Sequence, residues 1–91
     1  MKNISYEELV SLAKENIEGV FDYNSYIKRV AEYQYKNPKL CYGEALYNVF
    51  YEFHPDIARN LRFVDFDPYY CVSRIDPKIK IFFNFLLEIG K

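Results

Sequence analysis

Between Pro77 and Ile89 the chain carries Ile79, Ile81, Phe82, Phe83, Phe85, Leu86, Leu87 and Ile89, so a helix there is apolar around most of its circumference. Such a helix does not suit a surface position with one face in water. It is either the centre of its own domain or packed on another chain. Asp76-Pro77 marks its start, an N-cap aspartate followed by proline at the first helical position, where the missing N–H costs nothing. The broad face is Ile79, Phe82, Phe83, Leu86 and Ile89; Ile81, Phe85 and Leu87 widen it.

The preceding segments must cover that helix, and they read as helices too. Ser5 and Glu8 form a capping box, Ile4 and Leu9 occupy the staple positions, and Leu9, Leu12, Ala13 and Ile17 recur on one face until Gly19. Asn24 or Ser25 caps a second helix with Tyr26, Ile27, Val30 and Ala31 inward and Lys28, Arg29, Glu32 and Lys36 outward; Asn37-Pro38 ends it. A third runs from about Tyr42 to Phe53 on a stripe of Tyr42, Leu46, Val49, Phe50 and Phe53, with Gly43 in its first turn allowing another backbone to approach. Pro55 opens a short fourth helix with Ile57, Ala58 and Leu61 inward. From Phe63 to Ile75 periodicity fails. The expected architecture is all-α: one domain over residues 1–91, a compact bundle of about five short helices with an irregular, aromatic-rich connection near residues 63–75. Leu46, Val49, Phe50, Phe53, Leu61, Phe82, Phe83 and Leu86 are the expected core.

Composition permits this fold and narrows the function. An apolar content of 51% with 20% aromatic residues lies far from the disordered class, and 91 residues support one core. The formal net charge of −1 offers no overall field for nucleic acid or anionic lipid. Met1 to Val10 contains Glu7 and Glu8 and no apolar signal core, and no stretch approaches the roughly 20 apolar residues of a membrane span. A cytoplasmic protein is expected. Ten Tyr and eight Phe suit a small domain or an interface, because tyrosine buries its ring while its hydroxyl meets water.

No catalytic constellation, metal site or cofactor is expected. The single His54 precedes Pro55 with no nucleophile motif near it, and Cys41 and Cys71 are far apart, in neither metal-like nor redox-like spacing. Gly19, Gly43 and Gly90 are isolated, so there is no phosphate-binding loop. The densest polar group is Arg59, Arg62, Asp65, Asp67, Tyr69, Tyr70 and Arg74. Its paired acids are a candidate acid–base or metal pair. Alternation with arginine favours another role, in which guanidinium groups bond carboxylates and carbonyls to order a segment with few regular backbone bonds.

Tyr42-Gly43-Glu44-Ala45-Leu46-Tyr47-Asn48, then Pro55-Asp56-Ile57-Ala58, Arg62 and Asp67-Pro68-Tyr69-Tyr70, resembles a pattern in small uncharacterised proteins of bacteria and their phages. The chain departs from that pattern at Glu44, Phe63 and Tyr69, where Gln, Gly and Phe stand. The resemblance implies a bacterial or phage origin and no particular activity.

Two functions follow as expectations. One is a non-enzymatic protein-interaction module that binds a host protein or forms a homodimer through the outer side of the last helix at Ile81 and Phe85. In the competing account, the earlier helices wrap around that side and bury it. The other function is nucleic-acid or nucleotide binding through Arg59, Arg62 and Arg74, with Tyr69 and Tyr70 for stacking.

Overall fold

The computed structural model describes residues 4–17, 19–62 and 64–90. Phe63, one of the departures from the bacterial pattern and the first residue of the expected connection, lies outside them. The described residues form α1 (Tyr6–Asn16), α2 (Tyr23–Lys36), α3 (Tyr42–Phe53), α4 (Pro55–Leu61) and α5 (Pro77–Ile89), with no strand among them. The Cα radius of gyration is 12.4 Å.

Caps set these boundaries. The Glu8 N–H donates to Ser5 Oγ at 3.1 Å and the Ser5 N–H donates to Glu8 Oε1 at 3.2 Å, so two otherwise unpaired backbone donors are satisfied at the start of α1. In α2 the cap is Asp22, two residues before Asn24 and three before Ser25: its carboxylate accepts from both the N–H and the hydroxyl of Ser25. The inward line of α2 is Tyr26 and Val30 with half-buried Ile27 and Tyr33, while Ala31, about 140° around the helix from Tyr26, is exposed.

Gly43 explains how the irregular connection is held. Its N–H donates to the Cys71 carbonyl at 2.9 Å, and a Cβ there would overlap the Pro68 carbonyl oxygen and crowd that of Cys71. The first turn of α3 therefore docks backbone to backbone against residues 68–71.

The core is organised around Phe50. Its ring lies 5.8 Å from Phe21, 6.1 Å from Tyr26, 5.9 Å from Phe82 and 6.2 Å from Phe85, within the range in which tilted and edge-on aromatic pairs attract. Buried tyrosines keep their hydroxyls paired: Tyr26 donates to the Leu46 carbonyl and Tyr47 to that of Ala58. Phe53 and Phe83 are only half-buried and form the edge of this core.

Phe85 corrects the expectation of an outward-facing pair on the last helix. It is fully buried, covered by Tyr6 of α1 at 6.3 Å and Phe66 of the connection at 5.8 Å. The cause is the breadth of the apolar arc, which takes α1 and the connection on one side and α3 on the other. Ile81 alone of the expected pair reaches solvent, at 41% exposure.

Candidate functional site

Four of the seven residues of the polar stretch, Arg62, Asp65, Asp67 and Tyr70, line one pocket of about 350 Å³ together with Lys78, while Arg59 and Arg74 lie elsewhere. Arg62, Asp67, Tyr69 and Tyr70 form one cluster. Arg62 Nε lies 3.0 Å from Asp67 Oδ2, its Nη2 donates to the Tyr70 hydroxyl at 3.3 Å, and its guanidinium sits 4.5 Å from the Tyr69 ring centre and 5.3 Å from that of Tyr47. Asp67 Oδ1 accepts from the Tyr69 N–H at 3.0 Å, closing a local turn. Arg59 instead pairs with Asp56 across one turn of α4, Arg74 lies over the Tyr42 ring at 4.3 Å, and Asp65 is exposed.

The electrostatics of the cluster are those of a structural clamp. Burial raises the Asp67 pKa above the ordinary carboxylate range and outweighs the opposing effects of the Tyr69 N–H and Arg62. Arg62 loses some hydration, which works against its charge, yet Asp67 and the Tyr70 hydroxyl raise its pKa overall. Two of the five Arg62 donors face these partners, and the side chain keeps 37% of its surface exposed, so the remaining donors are open to solvent.

The two thiols are not set up as nucleophiles. Burial raises the pKa of Cys41, whose thiol donates to Glu44 Oε1 at 3.1 Å, and that of buried Cys71, so neither is an activated thiolate. His54 lies against Phe21 and Phe50, and burial lowers its pKa. No three of the described His, Cys, Asp and Glu residues are placed to share a metal ion. Among the described residues no helix is long and apolar enough to cross a membrane.

A further groove, of about 550 Å³, lies where the end of the connection meets α3 and α5. Tyr42, Ile79 and Phe83 supply its apolar lining, with the Tyr42 and Phe83 rings stacked 6.5 Å apart. Arg74 and Lys80 bring two cations, neither paired with a carboxylate among the described residues. Ile75 also lines the groove and is 90% exposed. Asp76 borders it too, but its carboxylate accepts from the Lys78 N–H as the cap of α5.

Of the residues expected to form a site, only Arg74 belongs to this groove. Lys80, Ile75 and Tyr42 were missed, though one signal was present. Ile75 precedes the Asp76 cap, so its staple partner would be the fourth helical residue, and that residue is Lys80. At α1 the corresponding pair is Ile4 and Leu9, both apolar, and Ile4 is half-buried. Ile75 has no apolar partner and stays in water.

The described residues thus define a small all-α protein with an open groove, lined by aromatic and cationic side chains, on one flank of its last helix. No family model, curated protein or solved structure matches the chain.

Proposed function

We propose that this chain is a cytoplasmic, non-enzymatic protein-interaction module, encoded by a bacterium, phage or mobile element, that modulates a host protein or self-associates, and that its contact surface is the groove between Tyr42, the end of the connection and α5. The observation that carries this reading is Ile75: a large aliphatic side chain, 90% exposed, beside Tyr42 and Phe83 in a concave surface. Val72 on the same connection is also largely exposed. Contiguous apolar surface with a polar border is the usual mark of a contact site, and aromatic residues are common at the centres of such sites. The arginines favour this over nucleic-acid binding, because Arg59, Arg62 and Arg74 point to separate places and each lies over a ring of this chain.

Capture from the native host with wild type and Ile75→Glu tests the reading. Expected is a protein retained by wild type and released by a variant of unchanged melting temperature. Retention of nuclease-sensitive material, or protein capture indifferent to Ile75→Glu, would contradict it.

A further inference from the structure

We infer that the groove takes a second copy of this chain, seated through the acidic outer face of its α1, so that molecules associate head to tail. This rests on the groove being a protein-contact surface, and it names the occupant. The argument is charge complementarity between two faces of one molecule. The groove presents Arg74 and Lys80 around an apolar lining. The outer face of α1 presents Glu7 and Glu15, both exposed and neither paired with a cation among the described residues, beside half-buried Leu12. Lys14 lies beyond Glu7, at the edge of this face. A leucine among carboxylates is the chemical complement of an aromatic surface between cations.

The two faces cannot meet within one chain. Phe85 turns toward Tyr6 of α1, whereas Phe83 turns toward Tyr42, and residues two apart on a helix point about 200° apart. They therefore lie on opposite flanks of α5. A two-fold pairing of grooves would set Arg74 and Lys80 against their own copies, and a pairing of α1 faces would set glutamate against glutamate; both arrangements are repulsive. Groove on α1 is the attractive combination. It is heterologous, and such contacts continue from molecule to molecule unless the rotation closes a ring. A net charge of −1 raises little long-range repulsion between copies.

The test is sedimentation over roughly 10 µM to 1 mM, the range in which weak association is read. Wild type should grow beyond a dimer as concentration rises and revert as salt screens the contact. Arg74→Glu/Lys80→Glu and Glu7→Lys/Glu15→Lys should each weaken self-association by about tenfold or more. Mixed one to one, the two variants should associate again, because each then meets a face of opposite sign. Lys28→Glu/Lys36→Glu makes the same change in net charge as Arg74→Glu/Lys80→Glu, on exposed α2 positions, but leaves both faces intact and should self-associate as wild type does. If a reversal disturbs folding, Glu7→Gln/Glu15→Gln with the salt series measures the same contact. A wild type that stays monomeric throughout, association unmoved by either reversal, or an equal loss of self-association in the α2 variant overturns the inference. Should the monomer still lose a host protein on Ile75→Glu, the interaction module stands and only its occupant was misassigned.

Discussion

Phe50 and Asp67 show the two kinds of residue on which this small domain depends. Phe50 touches four aromatic neighbours from three other parts of the chain and has no exposed surface. Phe50→Ala should cost about 3–5 kcal/mol, because the surrounding rings cannot fully close the cavity; a denaturant melt close to wild type would show that the centre of the core lies elsewhere. Asp67 acts differently. Its folded pKa is raised by burial, so the folded state holds the proton more tightly than the unfolded chain does. Stability therefore falls as pH rises from the ordinary carboxylate range through the raised value, and ionised Asp67 is a net electrostatic cost at neutral pH. Asp67→Ala should still destabilise, by about 1 kcal/mol, through loss of the acceptor for the Tyr69 N–H. Asp67→Asn keeps an acceptor without the charge and should cost less, with wild type gaining on it as pH is lowered; melts of both variants across the acid range check the sign. The pairing of Arg62 with Asp67 was legible from the alternation of acids and arginines. The separate destinations of Arg59 and Arg74 were not, since nearness along an irregular segment does not fix the direction of a side chain.

The helices themselves were legible because their ends are chemically marked. Ser5 with Glu8, His54-Pro55 and Asp76-Pro77 place three starts correctly, and Asn37 ends α2. The start of α2 was read late because Asp22, Asn24 and Ser25 are all good caps, and the bonds from the Ser25 N–H and hydroxyl to the Asp22 carboxylate decide among them. The last helix shows what a helical wheel leaves out. Its arc was known to be too broad for one neighbour, but which part of it stays uncovered depends on where Tyr6 and Phe66 fall. Phe85→Glu should unfold the protein, since it places an unpaired charge among rings. Ile81→Glu, four residues earlier and already 41% exposed, should fold with a stability change of about 0.5 kcal/mol or less. Circular dichroism of the two variants separates them, and equal behaviour would mean that the side of α5 facing α1 has been misassigned.

Across the whole molecule, helices and core cluster were read with more success than the groove, because periodicity reports burial whereas a groove is made by the meeting of distant segments. Tyr42 and Lys80 are neighbours only because the connection brings Asp76 back beside the start of α3. That connection is held largely through main-chain atoms: the Gly43 N–H on the Cys71 carbonyl, the Cys71 N–H on the Pro68 carbonyl and the Asp76 N–H on the Ser73 carbonyl. The exposed side chains of Val72 and Ile75, between these anchors, contribute little to its course. Replacing Val72 and Ile75 together with polar residues should leave the melting temperature within a few degrees of wild type, because exposed changes usually stay within about 0.5 kcal/mol each. Gly43→Ala, a single methyl group, should cost about 3 kcal/mol or more by pushing the two backbones apart. A melt in which Gly43→Ala is the milder change would remove the main-chain account. In evolutionary terms the arrangement separates what must be kept from what is free to drift. A lineage that holds Gly43 and the turn at Pro68 can exchange the exposed residues of the connection while the scaffold beneath them stays the same.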